Sequence, residues 1–258
     1  MLTLPVRSVS FHSSRRQGGF SLVELMVAAA VGLIILLAAM VFITSMLRSN
    51  NENIVAARVM QDVRTTHAIL AREIKRAGFN RNALTLVSNV GAYNASFNGI
   101  TTGGAVAVAA TDCADIVASA VANASSCVIF AYDQVGVNDA ATTPNGQEWK
   151  GFRRQVINGR GVVQGYLAGP AAGAPTCADA VTDANWSTLT SDDHDITRFM
   201  VVVRQSAPIA ITTIDGATIQ VRDALIQVDG RQNGSATGSR RLCESVRVRA
   251  DRLNLPAP

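Results

Sequence analysis

The stretch RRQGGFSLVELMVAAAVGLIILLAAM (residues 15–40) joins two arginines, a Gly-Gly pair and a glutamate to a long apolar run. From Leu25 to Leu47 the chain has 23 residues without a charge or a proline. A helix of this length spans roughly 34 Å, which is enough to cross the hydrocarbon core of a bilayer. The pattern therefore predicts a membrane-spanning helix over residues 20–47.

The charges before the apolar run predict its orientation. Arg7, Arg15 and Arg16 lie in the first 19 residues, which contain no acid, and no comparable cluster follows the run closely. Because basic residues stay on the cytoplasmic side, we expect a cytoplasmic amino terminus and a periplasmic chain beyond about residue 48. An ordinary secretory signal is disfavoured, because the small residues Ala28–Ala30 that could be cleaved lie inside the run.

Glu24 stands where a carboxylate is costly unless it finds a partner, so it is a candidate functional residue. The string G-F-S-L-V-E (Gly19–Glu24) resembles the class III signal of type IV prepilins. The resemblance implies that prepilin peptidase cuts between Gly19 and Phe20 and that Phe20 becomes N-methylated. It also implies that Glu24 pairs with the terminal amine of a neighbouring subunit in an apolar filament core, where the low dielectric strengthens the attraction.

The chain beyond the membrane run changes from helical to strand patterns. Apolar residues at spacings of three and four mark one helical face, and Gly78 is a natural stop; they are Val55, Val59, Val63, Thr66, Leu70, Ile74 and Ala77. We predict a leader over 1–19, an amphipathic helix over 48–79 and a β-rich periplasmic domain over 80–258. The expected fold class is α+β and pilin-like, with a long N-terminal helix packed on an antiparallel sheet domain.

Short β-prone segments follow residue 80. Cys127–Tyr132 is one predicted strand, and Asn158-Gly159 within Phe152–Leu167 predicts a hairpin. Further strands are predicted at Phe199–Arg204, Ile209–Thr213, Thr218–Arg222, Leu225–Val228 and Ser245–Leu253.

Four further segments resemble the PilW-type minor pilins. They are LAREIKRAGF (Leu70–Phe79), YDQVGVND (Tyr132–Asp139), FRR (Phe152–Arg154) and WSTLTSDDHDITRF (Trp186–Phe199). The resemblance implies a minor pilin that acts with other minor and major pilins in a priming or tip complex. A J-type pseudopilin of type II secretion shares the same amino-terminal features. A membrane-tethered periplasmic enzyme or binding protein is a third hypothesis, although a tether has no use for Glu24.

The cysteine count fits an oxidising compartment. Cys113, Cys127, Cys177 and Cys243 all follow the apolar run and allow three pairings. We favour Cys113–Cys127, which closes a short segment of small residues. The second bond would then be Cys177–Cys243, which ties a loop to the last strand.

Three other clusters have a chemical and a structural interpretation. Asp192, Asp193, His194 and Asp195 could bind a metal, and Asp133, Asn138 and Asp139 could bind calcium, but we interpret both as turns. The arginines near the carboxy terminus could form a DNA-binding stripe, although a solvated sheet face is simpler; they are Arg240, Arg241, Arg247, Arg249 and Arg252.

Composition argues against catalysis and nucleic-acid binding. The chain has 258 residues, 48% of them hydrophobic, and its net charge of +4 includes the three leader arginines, so the remainder is nearly neutral. It contains no GxSxG, HExxH or phosphate-binding glycine motif. We therefore expect no enzyme activity, no metal or other cofactor, and no nucleic-acid partner.

Overall fold

The computed structural model describes residues 19–81, 97, 99–103, 113, 127–134, 143–212, 216–234 and 238–254. The chain divides into two compact units, Met1–Glu52 and Asn53–Pro258. One helix, α1, begins in the first unit at Leu22 and ends in the second at Arg76. Residues 1–18 of the expected leader (1–19) lie outside the described residues.

The first unit is helical from Leu22 onward and exposes its apolar side chains from Leu22 to Leu47. Within the described parts of the chain, α1 is the one helix long and apolar enough to cross a membrane. The Thr44 hydroxyl is satisfied within the helix, since Thr44 Oγ1 donates to the Met40 carbonyl oxygen at 2.9 Å. Such a bond keeps a polar group compatible with an apolar surrounding.

The second unit contains eleven strands among its described residues. They are β1 (Ile100–Gly103), β2 (Cys127–Ala131), β3 (Trp149–Ile157), β4 (Arg160–Tyr166), β5 (Trp186–Thr188), β6 (His194–Gln205), β7 (Ile209–Ala210), β8 (Thr218–Gln220), β9 (Arg222–Gln232), β10 (Arg240–Arg247) and β11 (Arg252–Asn254). They form three antiparallel sheets with the orders β1-β2-β3-β4-β5, β10-β9-β6 and β11-β8-β7.

The second half of α1 packs one face on these sheets. Val59, Val63, Leu70 and Ile74 are almost completely buried, and they share a core with side chains of β2, β6 and β9. Their spacing of three and four residues places them on one side of the helix. The amphipathic helix and the α+β fold class, a long apolar N-terminal helix with antiparallel sheets, are therefore confirmed.

Gly230 on β9 allows the helix to approach the sheet. A Cβ atom at this position would lie 2.8 Å from Val63 Cγ2, closer than packed carbons tolerate. We expect Gly230→Ala to lower the free energy of unfolding by about 1–3 kcal/mol through overpacking. Urea denaturation of the full chain in detergent micelles measures the loss.

Val63→Ala provides the matched control, because it removes the methyl group that the new Cβ would meet. The double variant should be more stable than the sum of the two single effects predicts. Strict additivity would show that the helix does not approach the sheet at Gly230.

The predicted hairpin is confirmed as β3 and β4. Asn158 and Gly159 form its turn with positive φ values of 54° and 75°, which is the geometry that an Asn-Gly pair favours. The strand at Cys127–Tyr132 is also confirmed as β2. Gly78 follows the end of α1 with φ 80°, as expected for a helix stop.

The predicted single strand at Ser245–Leu253 is wrong, because the chain changes partners there. β10 ends at Arg247, and the Val248 and Arg249 amides then donate to the carbonyls of Arg222 and Lys75 at 3.0 and 3.1 Å. The chain next joins β8 as β11. The side-chain alternation continues across a break in pairing, so the pattern alone could not reveal it.

Two further strand predictions, Ile209–Thr213 and Thr218–Arg222, are correct only in part. Ile209–Thr213 is a strand only at Ile209–Ala210, and Thr213 lies outside the described residues. Thr218–Arg222 is divided, because β8 ends at Gln220 and Arg222 begins β9.

The predicted cysteine pairing is wrong, although all four cysteines form disulfides. Cys113 bonds to Cys243 and Cys127 bonds to Cys177, with Cα–Cα distances of 5.9 and 5.8 Å. The antiparallel register sets Cys127 opposite Gly103, and a Cβ atom at Gly103 would collide with Cys177. Tertiary proximity therefore decides the pairing, which separation along the chain does not predict.

Candidate processing and assembly site

The bond between Gly19 and Phe20 lies just before α1. The first helical hydrogen bond runs from the Leu25 amide to the Ser21 carbonyl at 3.1 Å, so Ser21 occupies the N-cap position that serine favours. Gly19 and Phe20 have no regular secondary structure, and Phe20 is 83% exposed. A peptidase can therefore reach this bond without unwinding the helix.

Glu24 lies in the first turn of α1 and is exposed. A carboxylate there is favoured by the helix dipole, and its spacing from Ser21 matches a capping box. Within the described residues its side chain has no hydrogen-bond or ion-pair partner. Cleavage before Phe20 would create a positive amine about one helical turn from this carboxylate. The site thus combines an accessible bond, an anion and an exposed apolar surface.

The side chains of the acidic cluster at the start of β6 (Asp192–Asp195) contact different partners. Asp192 is exposed and accepts from Arg160 at 2.6 Å, whereas Asp195 is buried and accepts from Arg231. His194 Nδ1 lies 2.7 Å from Asp62 Oδ2 on α1. The cluster is a turn entering a strand, as interpreted, although half of it is buried. In the described parts of the chain, no three His, Cys, Asp or Glu side chains could hold a metal together.

The remaining sequence candidates also have local partners. Asp133 accepts from the Arg81 amide at 2.9 Å; Asn138 and Asp139 lie outside the described residues. Among the carboxy-terminal arginines, Arg241 pairs with Asp229 at 3.0 Å and Arg247 with Asp251 at 3.3 Å.

Arg240 is half-buried, whereas Arg249 and Arg252 are exposed. The two ion pairs and the exposed positions favour the solvated sheet face over a binding stripe.

Arg153 is a buried cation that the sequence did not single out as a functional or structural centre. Its guanidinium lies 4.1 Å from the Trp186 ring and donates to Gln164 Oε1 at 3.0 Å and to the Ala180 carbonyl at 2.9 Å. Desolvation lowers the pKa of Arg153, and the nearby Asp179 opposes the shift. These contacts anchor the loop that Cys177 tethers, so the FRR segment stabilises structure.

His67 is a second buried group that the apolar pattern did not reveal. It lies on α1 next to the buried stripe, and its Nδ1 atom is 3.7 Å from Glu244 Oε2 on β10. Burial lowers the pKa of His67, and the Glu244 carboxylate and a hydrogen bond from the imidazole to the Ile226 backbone oppose the shift.

This lowered pKa predicts a pH-dependent stability. The unfolded chain binds a proton at His67 more readily than the folded chain does, so the free energy of unfolding should fall as pH drops below about 6.5. His67→Gln should flatten this dependence between about pH 5 and 7. Urea denaturation of full-length protein in micelles at a series of pH values checks it. An unchanged slope in the variant would contradict the assignment.

Two family models match this chain. The model described as "Prepilin peptidase-dependent protein B" covers residues 52–248, and the one described as "Prokaryotic N-terminal methylation motif" covers residues 14–40. The second region includes Gly19, Phe20 and Glu24. No curated protein and no solved structure matches the chain at a significant level. The chain belongs to the prepilin peptidase-dependent protein B family and is a type IV pilin-like protein, with a class III signal and one apolar helix that fits a single pass of the inner membrane.

Proposed function

We propose that this chain is a minor pilin of the PilW type. Prepilin peptidase cuts between Gly19 and Phe20, Phe20 is methylated, and the subunit joins other minor and major pilins in a priming or tip complex. The observation that carries this proposal is the Gly19–Phe20 bond, which precedes the helix and is followed by the uncharged, exposed segment Leu25–Leu47.

Assembly requires this exposed segment to move from lipid to a filament core. Lipid tails are as apolar as the helix, so the apolar side chains change little in free energy during this transfer. Glu24 is the group for which the transfer matters most, because an isolated carboxylate is costly in either surrounding. Pairing with the Phe20 amine of a neighbouring subunit would offset that cost and set the register between helices.

The same proposal places the parts of the chain relative to the membrane. Residues 1–19 are a cytoplasmic leader, 20–47 span the membrane, and 48–79 continue the helix into a periplasmic domain over 80–258. Two disulfides favour this orientation, because such bonds persist in the oxidising periplasm.

Mass spectrometry of the subunit purified from cells with prepilin peptidase tests the processing step. The mature chain should begin with N-methylated Phe20. Gly19→Trp should leave the precursor uncut, because the bulky indole would replace the small residue before the bond and obstruct the peptidase. Gly19→Ala is the matched control for steric size and should be cut more readily than Gly19→Trp. A mature terminus beyond Leu25 would contradict the prepilin interpretation.

A J-type pseudopilin would share the same processing and a similar helix, so the two functions differ in the machine that needs the subunit. Deletion of the gene should remove surface pili while type II secretion continues. Loss of secretion with intact pili would favour the pseudopilin. If neither machine needs the chain and the precursor stays uncut, a tethered enzyme or binding protein becomes the better interpretation.

A further inference from the structure

A basic groove runs between α1 and β10 in the second unit. It is lined on α1 by Arg64, His67, Ala68, Ala71, Arg72 and Lys75, and on β10 by Leu242 and Glu244. Its volume is about 480 Å³. Arg64, Ala68, Arg72 and Lys75 are exposed and lie at spacings of four, four and three residues, so they share one helical face.

The charges of the basic groove are unbalanced. Three cations line it against one carboxylate, that of Glu244. Within the described residues the side chains of Arg64 and Lys75 have no hydrogen-bond or ion-pair partner. Arg72 lies 3.3 Å from Glu73 but remains 70% exposed, and the other Glu73 oxygen accepts from Tyr132.

Four other cations of the same unit pair with an aspartate, whereas Arg64 and Lys75 have no acidic partner within the described residues. The four are Arg160, Arg231, Arg241 and Arg247. Arg72 and Lys75, three residues apart, instead repel each other on the helix surface. An external partner that carries negative charge would remove this repulsion.

We infer that the basic groove binds an acidic surface segment of a different pilin-like subunit, an inference that rests on the proposed function. Arg64 and Arg72 lie about 12 Å apart along the helix axis, so two carboxylates at that spacing would each meet a guanidinium. The small apolar floor of Ala68, Ala71 and Leu242 lets the partner's backbone come close.

A second copy of this chain is a weaker candidate for the groove, because four of its described carboxylates already lie beside an arginine. Glu52 pairs with Arg48, Asp192 with Arg160, Asp223 with Arg204 and Asp251 with Arg247. These pairs favour a heterotypic contact, which would bring this subunit beside a different pilin-like neighbour.

Photocrosslinking in piliated cells tests the contact. The photoreactive amino acid p-benzoylphenylalanine replaces Ala68 in the full-length chain, and the crosslinked peptide is identified by mass spectrometry. We expect a crosslink to another pilin-like chain, within a segment that carries at least two carboxylates. The same amino acid at Thr188, exposed on β5, is the matched control position and should not give this product.

Charge reversal separates a specific contact from mere proximity. Arg64→Glu with Arg72→Glu should lower the Ala68-position crosslink by about tenfold or more, because each close charge pair contributes to affinity. Arg252→Glu, at an exposed cation outside the groove, should leave it unchanged. Replacing the partner's carboxylates with lysines should restore the crosslink in the charge-reversed chain.

The inference is overturned if the subunit enters filaments but gives no crosslink from position 68. A crosslink to a second copy, to lipid or to nucleic acid, or one that the reversal leaves unchanged, would overturn it equally. Intact disulfides on non-reducing gels confirm that each variant is folded. If the chain is uncut and absent from filaments, the proposed function itself fails, which distinguishes the two failures.

Discussion

Glu24→Ala subunits are expected to be cleaved and folded normally and yet to be almost absent from filaments. The carboxylate lies in the first turn of α1, outside the second unit, where Val59, Leu70 and Ile74 form the core. The substitution therefore removes no contact of the folded domain. In a filament core it would leave the amine of a neighbouring Phe20 without a counter-charge, and breaking a buried pair in this way weakens an interface by roughly a hundredfold or more.

Immunoblots of sheared pili, compared with whole-cell lysates, measure this incorporation. Glu24→Gln is the matched control for shape, because it keeps the side-chain size and loses the charge, so it should fail almost as completely as alanine. Glu24→Asp keeps the charge on a shorter side chain and should retain part of the activity. Normal incorporation of the glutamine variant would disprove the ion-pair account, and loss of cleavage would move the role of Glu24 to processing.

Loss of the Cys113–Cys243 bond should lower the free energy of unfolding of the second unit more than a typical single core substitution does. The bond joins residues 130 apart, and closing a loop of that length restricts the unfolded chain by about 5 kcal/mol in the chain-entropy treatment. The Cys127–Cys177 bond joins residues 50 apart, which gives about 4 kcal/mol. Either value is a large part of the total stability of about 5–15 kcal/mol typical of a domain.

The double variants Cys113→Ser/Cys243→Ser and Cys127→Ser/Cys177→Ser compare the two bonds directly. Each removes both partners, so no unpaired thiol remains to form a wrong bond. Chemical denaturation should give a lower midpoint for both, and a larger loss for the first pair. Non-reducing peptide mapping of the parent should yield Cys113–Cys243 and Cys127–Cys177; a Cys113–Cys127 peptide would contradict the structure.

The sequence predicted well those elements that depend on residues close together along the chain. Asn158-Gly159 specifies a hairpin turn because these residues adopt positive φ values easily, and both do so in the structure. The buried stripe of α1 follows from spacing on a helix, and Gly78 ends the helical segment where its φ of 80° favours glycine. The string before the apolar run likewise depends only on residues that are neighbours along the chain.

The elements that the sequence missed depend on distant neighbours. The sequence marks Arg153 only as part of the FRR segment, but β3 directs it toward Trp186 and Gln164 in a pocket that exists only when β4 and β5 are in place. His67 falls between apolar positions of the helix, and burial against β9 and β10 gives it a lowered pKa. Neither environment can be read from flanking residues.

The disulfides show most clearly which features depend on the sequence alone and which depend on the tertiary structure. The sequence by itself determined the uncharged helix, the Gly19–Glu24 string, the amphipathic stripe and an even number of cysteines, because each is a property of composition or of short spacing. Only the tertiary structure decided that Cys113 meets Cys243 across 130 residues and that Cys127 meets Cys177. A disulfide requires Cα atoms within about 7 Å, and tertiary packing brings the two pairs to 5.9 and 5.8 Å, whereas separation along the chain does not set that distance.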